Sequence, residues 1–157
     1  MPPCISIITA TRDAERVLPR LLTSLAEQSF RNFELIIQDG ASQDHTLLIA
    51  ESFRDRLPAL TVNSAPDNGI YDAWNKALPL ARGRWVLFLG ADDALFEPLS
   101  LEQAAKALDA LPDVVQYLAS SIFITTPEGQ LVERIAPDPD PLRALPSTMP
   151  LPHPALL

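Results

Sequence analysis

Short apolar runs alternate with amphipathic stretches along the first hundred residues. Ile5 to Ala10, Phe33 to Gln38, Leu60 to Asn63 and Trp85 to Leu89 have strand length and are mostly apolar, as expected of strands buried on both faces. Between them the apolar spacing becomes helical. A first helix is predicted from Pro19 to Glu27, with proline at its start and Leu21, Leu22 and Leu25 forming a stripe. A second is predicted from Thr46 to Arg56, with Ser42 or Asp44 as its cap, and a third begins near Ile70, where Ile70, Ala73, Trp74, Ala77 and Ala81 share a face. A fourth spans Leu99 to Leu108. A further strand is expected from Val114 to Leu118, then a hairpin pairing Ile122 to Thr125 with Leu131 to Ile135 across the turn Pro127, Glu128 and Gly129. After Pro137, prolines recur through PDPDP, LPST and MPLPHP, which neither a helix nor a central strand accommodates.

The βαβαβαβ order predicts an α/β fold: a mostly parallel sheet with helices on both faces and right-handed crossovers, followed by the hairpin and a Pro-rich tail. Residues 1–136 are expected to form one domain and 137–157 an extended segment. Ligands of such sheets bind beyond the carboxyl ends of the strands.

Composition narrows the function classes. The chain has 157 residues, 47% of them hydrophobic and 20% charged, and no apolar run approaches the length of a membrane span. Charged Arg12, Asp13, Glu15 and Arg16 follow closely on Ile5 to Ile8, unlike a secretory leader, so a cytoplasmic location is expected. The single cysteine, Cys4, reads as a small core residue. A formal charge of −8 without clustered Lys and Arg argues against nucleic acid as a partner.

The strand ends carry the chemistry. Strand one leads into Thr9, Ala10, Thr11, Arg12, Asp13 and Glu15, a polar turn offering hydroxyl and backbone groups. Strand two ends in Asp39 and Gly40, where the acid either accepts from a base or ribose or simply caps. Strand three leads to Asp67, Asn68 and Gly69, a turn that lets the backbone approach a ligand, while Asp72 and Lys76 are also spaced as an ordinary helical ion pair. Strand four presents Asp92 and Asp93. Paired carboxylates there suit a divalent cation that shares its coordination with phosphates, the alternative being a helix cap. No GxGxxG follows strand one, which disfavours a dinucleotide oxidoreductase, and TATRDAER is not the glycine-rich basic loop of a nucleotidyltransferase.

The segments PCISIITATRDAERVLPRLLTSLAEQSF, NFELIIQDGASQDHT and APDNGIYDAWNKALPLARGRWVLFLGADD, in this order and spacing, resemble the nucleotide-binding half of a family 2 glycosyltransferase with the GT-A fold, of the kind that builds bacterial surface polysaccharides. The resemblance covers Pro3 to about Ile135. It implies a nucleotide-diphosphate sugar donor, with UDP the expected nucleotide, and a saccharide or lipid-linked saccharide acceptor, with action at the inner face of the membrane as a peripheral protein compatible with it. It implies donor contacts from Thr9, Thr11 and Glu15, base recognition by Asp39, and a donor-site lining of Asp67, Gly69, Asn75 and Lys76. Asp92 would lie near the ribose, and Asp93 would bind a divalent Mn or Mg cation. MPLPHPALL resembles a family segment with a histidine near the active site, which makes His153 a further donor-side candidate. The base that would activate an acceptor in an inverting displacement has no counterpart, since Asp138 and Asp140 lie in the proline-rich stretch. A catalytically incomplete nucleotide-binding fragment is therefore the alternative reading. Departures from the family pattern occur at Asp13, Gln43 and His45, all expected in loops.

Overall fold

The computed structural model describes residues 2–111, 122–126 and 130–135. Their elements run β1 (Ile5–Thr11), α1 (Leu18–Ala26), β2 (Phe33–Asp39), α2 (Thr46–Ser52), β3 (Leu60–Ser64), α3 (Ile70–Ala77), a 3₁₀ turn (Leu78–Leu80), β4 (Trp85–Gly90), α4 (Ser100–Asp109), β5 (Ile122–Thr125) and β6 (Leu131–Ile135). The first four strands form a parallel sheet in the order β3-β2-β1-β4, and β5 pairs antiparallel with β6 as a separate hairpin. The α/β class, the parallel sheet and the hairpin are as the sequence predicts. The strand expected at Val114 to Leu118, the hairpin turn, the 136/137 boundary, the Pro-rich tail and His153 lie outside the described residues.

Helices cover both faces unequally. On one, Ile5, Ile7, Leu35, Ile37, Leu87 and Leu89 pack with the buried leucines Leu18, Leu21, Leu22 and Leu25 of α1, Ala50 of α2, and Leu101 and Leu108 of α4. On the other, Ile8 and Ile36 meet Ala77 of α3, with Trp74, Ala81, Val86 and Phe88 packed around them. Period-2 alternation within β1 and β2 splits their apolar side chains between the two layers, while the polar members Ser6, Thr9, Thr11, Glu34, Gln38 and Asp39 are buried with them.

Element ends differ from the sequence reading for local reasons. Pro19 lies in the first turn of α1, where its missing N–H costs nothing. Pro79 follows α3 and converts its end to the 3₁₀ turn, so Ala81 reaches the core from a loop rather than from the helix. Helix α2 stops at Ser52 instead of Arg56. Asp44 accepts from the amide and hydroxyl of Thr46 at its start, whereas Ser42 is committed elsewhere.

One buried acid lies at the far end of the sheet from these loops. Glu34, in β2, has a side chain only 3% exposed and takes the Ser6 hydroxyl at 2.7 Å, the Arg82 amide at 2.8 Å and the Arg82 guanidinium at 2.6 and 2.9 Å. Burial pushes the Glu34 carboxyl up, but these bonds outweigh it and hold it below the ordinary glutamate value. Ser6 in turn accepts from the Gly83 amide at 2.8 Å. The cluster fastens the entry of β4 to β1 and β2.

Candidate functional site

Parallel register assembles the site. Thr11 is opposite Asp39, and Asp39 is opposite Ser64, so three strand ends present one row of polar side chains. Asp39 sits at its centre with no exposed surface. Its Oδ1 accepts from Thr11 Oγ1 at 2.9 Å and Ser42 Oγ at 2.5 Å, and its Oδ2 from the Ser42 amide at 2.9 Å and Ser64 Oγ at 2.7 Å. Burial raises the Asp39 carboxyl, but the bonds from Ser42, Ser64 and Thr11 prevail and leave it below the usual aspartate value. Asp39 is thus an ionised knot that organises the row.

The loops after β1 and β2 are fastened rung by rung. The Asp13 amide donates to Ser42 Oγ at 2.8 Å, the Gln43 amide to Asp13 Oδ1 at 2.8 Å, the Ala14 amide to Thr46 Oγ1 at 2.7 Å, and the Glu15 amide to Asp44 Oδ2 at 3.0 Å. Asp13 and Ala41 hold φ of 47° and 60°, a conformation unfavourable for an L residue that these bonds enforce. Glu15 closes the ladder: its Oε2 accepts the His45 amide at 3.1 Å and lies 2.8 Å from His45 Nδ1. Those bonds hold the Glu15 carboxyl below its ordinary value. His45 is exposed, as expected, and paired with Glu15, which was not.

Asp67 approaches the same row from β3. A Cβ placed on Gly40 would lie 2.6 Å from Asp67 Oδ2, so only glycine at position 40 allows this approach. Asp67 Oδ1 accepts from the Gly69 amide at 2.9 Å, and Gly69, at φ 112°, turns the chain into α3. The Asn68 amide and Lys76 Nζ both reach Asp72 Oδ2, at 2.9 and 2.8 Å, and Lys76 also donates to the Pro66 carbonyl at 2.8 Å. Lys76 therefore braces this turn. Asn75 is exposed on α3.

The acid pair follows β4. A Cβ on Gly90 would lie 2.8 Å from Asp92 Oδ1 and 3.1 Å from Asp93 Oδ2, so the two carboxylates converge on the bare backbone there. Asp93 Oδ2 accepts from the Gly90 amide at 2.7 Å. Burial raises the Asp93 carboxyl; the Gly90 amide opposes the rise, the Asp92 charge adds to it and the Arg20 charge opposes it, leaving a net increase. A carboxyl raised chiefly by burial and further by a like-charged neighbour is one that a cation would relieve. Among the described residues no cluster of three or more His, Cys, Asp or Glu forms a metal cage. Two carboxylates still suit Mg²⁺ or Mn²⁺, which are commonly held by one or two acids while phosphates and waters complete the shell.

Two sequence expectations change. Thr9, expected both within the strand Ile5 to Ala10 and at the start of the turn, belongs to the strand alone: pairing continues on both sides of it, to Ile37 and Leu89, and buries it completely with Oγ1 lacking a hydrogen-bond partner. The loop begins beyond Thr11. Glu15, expected beside the donor, has its carboxylate on His45. The sequence reading also missed Ser42 and Ser64 as partners of Asp39, although an aspartate that ends a strand commonly accepts from a backbone amide a few residues on, as a cap does.

Residues 6–154 match the sequence model described as Glycosyl transferase family 2. A PGL/p-HBAD biosynthesis glycosyltransferase of Mycobacterium tuberculosis is 45% identical over 104 residues, which cover 66% of this chain and 41% of that relative. The poly(ribitol-phosphate) β-N-acetylglucosaminyltransferase TarS of Staphylococcus aureus is 37% identical over 108 residues, covering 66% of this chain and 18% of TarS. The chain thus spans less than half the length of these relatives. Among solved structures, TarS 1–349 in complex with UDP-GlcNAc superposes with TM-score 0.63 at 36% identity, over 67% of this chain and 31% of that one. The mannosyltransferase PcManGT from Pyrobaculum calidifontis, in complex with GDP-Man and Mn²⁺, gives TM-score 0.68 at 25% identity, over 82% of this chain and 37% of that one. Sheet order, strand-end chemistry and the match over residues 6–154 agree: the chain belongs to glycosyl transferase family 2, with the GT-A fold.

Proposed function

We propose that this chain forms the donor-binding part of an inverting glycosyltransferase, taking a sugar from a nucleotide-diphosphate sugar, with UDP as the nucleotide, and passing it to a saccharide or lipid-linked saccharide acceptor. The observation that carries this reading is the convergence of Asp92 and Asp93 on Gly90 at the same sheet end as the Thr11, Asp39 and Ser64 row. UDP-GlcNAc in TarS and GDP-Man with Mn²⁺ in PcManGT support it.

In this reading the row beneath the base is preset. Asp39 keeps its negative charge, and a base N–H reaching it would replace one of the serine hydroxyls. Asp67, packed on Gly40, and the α3 entry at Gly69 flank the ribose and sugar. Asp92 would lie nearer the ribose, and Asp93 would hold a divalent cation beside the pyrophosphate. Such a cation supplies Lewis-acid stabilisation of the charge on the departing nucleotide. Among the described residues, none is placed as the base that deprotonates the acceptor. No helix of the described residues is long and apolar enough to cross a membrane.

Asp93→Ala and Asp109→Ala test the assignment, the second lying at the end of α4. UDP affinity measured by calorimetry with Mn²⁺ is expected to fall at least about tenfold in the first variant, as loss of a charged ligand implies, and to hold in the second. Equal losses would remove the metal role from Asp93.

A further inference from the structure

Arg20 and Ser24 of helix α1 and Gln28 just beyond its end form a polar stripe at i, i+4 spacing, and each member grips a distant segment. Ser24 Oγ accepts from the Leu95 amide at 3.0 Å; Gln28 donates to the Glu97 carbonyl at 2.9 Å and accepts from the Leu101 amide at 3.0 Å. Arg20 donates to Thr125 Oγ1 of β5 at 3.2 Å. The stripe therefore pins the stretch that follows Asp93 and draws the hairpin alongside it. Between the pinned residues Leu95 and Glu97 stands Phe96. It is 68% exposed, although its ring is stacked on Phe123 with centroids 4.4 Å apart and planes at 20°. Phe123 pairs across the hairpin with Arg134, whose guanidinium carbon is 5.8 Å from the Phe123 ring.

One face of Phe96 is thus backed by a second aromatic while the rest of the ring faces water. A scattered exposed apolar residue needs no explanation. This ring is different, because its backbone is fixed on both sides, its partner ring holds its plane, and it stands three residues from Asp93. A flat aromatic face with polar groups at its margin suits a ligand with an apolar face and a hydroxylated edge. A pyranose ring has that form, its C–H bonds on one face and its hydroxyls at the rim.

We propose that the open face of Phe96, backed by Phe123, is a stacking platform for a ring of the acceptor saccharide. Two residues along β5 from Phe123, the Thr125 hydroxyl is bonded to the Arg20 guanidinium, and this pair would supply hydrogen bonds to sugar hydroxyls. This rests on the donor-site reading above, because a saccharide seated here is useful only if a sugar donor lies at Asp92 and Asp93.

Saturation-transfer NMR on the 157-residue chain tests it, with aromatic protons irradiated and methyl α-D-mannopyranoside, methyl β-D-glucopyranoside and methyl α-L-rhamnopyranoside as probes. At least one glycoside is expected to receive saturation on C–H protons of one ring face. Phe96→Ala is expected to weaken that binding about two- to tenfold, as loss of one aromatic stack implies, and Phe96→Tyr to restore it. UDP affinity with Mn²⁺ is expected to be the same in both variants as in the unaltered chain. Absence of transfer to all three glycosides, or equal transfer in Phe96→Ala, would overturn the platform. So would loss of UDP binding in Phe96→Ala, which would place the ring in the donor site. Sedimentation showing a dimer that Phe96→Ala disperses would instead make this face a contact between copies. Phe96-dependent glycoside binding in a chain that fails to bind UDP would leave the platform standing and sink the donor reading alone.

Discussion

Asp39→Asn probes the knot on which the loop architecture depends. Asparagine fits with its amide nitrogen at the Oδ1 position, because the Thr11 and Ser42 hydroxyls there can rotate to accept. The Ser42 amide at Oδ2 cannot, so the retained oxygen must stay on that side. All four contacts then survive as neutral bonds. Hydrogen bonds to charged groups are worth about 1.5–3 kcal/mol and neutral ones about 0.5–1.5 kcal/mol, while losing the charge also relieves the cost of burying it. A net loss of about 2 kcal/mol is expected for Asn, and about 4 kcal/mol for Ala, which leaves the Ser42 amide and three hydroxyls without their acceptor. At this chain length about 1 kcal/mol shifts Tm by about 2–4 °C, so thermal unfolding should fall by about 4–8 °C for Asn and about 8–16 °C for Ala.

The pH dependence supplies a second check. The folded-state pKa of Asp39 is lowered, so its stabilisation is fully present above the unfolded value near about pH 4 and is lost as pH falls through the folded value. The gap between unaltered chain and Asp39→Asn should be constant from about pH 7 to about pH 5 and close below about pH 4. An Asn variant melting within about a degree of the parent at neutral pH, or a gap that persists in acid, would refute this account of the knot.

Asp93 has the opposite sign. Its raised pKa means that ionisation opposes folding as pH rises through the folded value, so Asp93→Asn, which keeps an acceptor for the Gly90 amide, should unfold at the same or higher temperature than the parent at pH 7 without metal; a clear drop in Tm would contradict it. Glu34→Ala should cost about 2–4 kcal/mol in urea unfolding, since it strips the Ser6 hydroxyl and the Arg82 amide of their acceptor, whereas a loss below about 0.5 kcal/mol would show the cluster to be incidental. Ala41→Gly should be neutral or stabilise by up to about 1 kcal/mol, because φ 60° strains alanine and not glycine; a clear loss would mean that the methyl packs where the strain was inferred.

The parts of the fold legible in the sequence were those set by local pattern. The strands beginning at Ile5, Phe33 and Trp85 read as short apolar-rich runs, and Pro19, Asp67 and Gly69 announced the helix and turn that they form. What stayed hidden depends on register between distant segments. Thr11, Asp39 and Ser64 become neighbours only because three strands end level, and no periodicity within one strand reveals that. The complete burial of Thr9 stayed hidden for the same reason, since it follows from pairing on both sides. Glu34 had a signal that was not used: an acid inside the apolar run FELII demands a buried partner, and Arg82 supplies it from 48 residues away. The Arg20, Ser24 and Gln28 stripe also stood at i, i+4 spacing, but its targets after Asp93 and in the hairpin are tertiary. In the site, the acids Asp39, Asp67, Asp92 and Asp93 do gather at one sheet end, whereas Glu15 and Lys76 turn to bracing their own loops.

The central claim is that the Asp92 and Asp93 pair binds a nucleotide diphosphate through a divalent cation. Calorimetric titration of the folded chain with UDP, once with Mn²⁺ and once with chelator, tests it most directly. The account predicts saturable binding with Mn²⁺ and binding at least about tenfold weaker in chelator, the factor expected when a bridging cation is lost. Equal affinity under both conditions, or no binding to a chain shown to be folded, would contradict it.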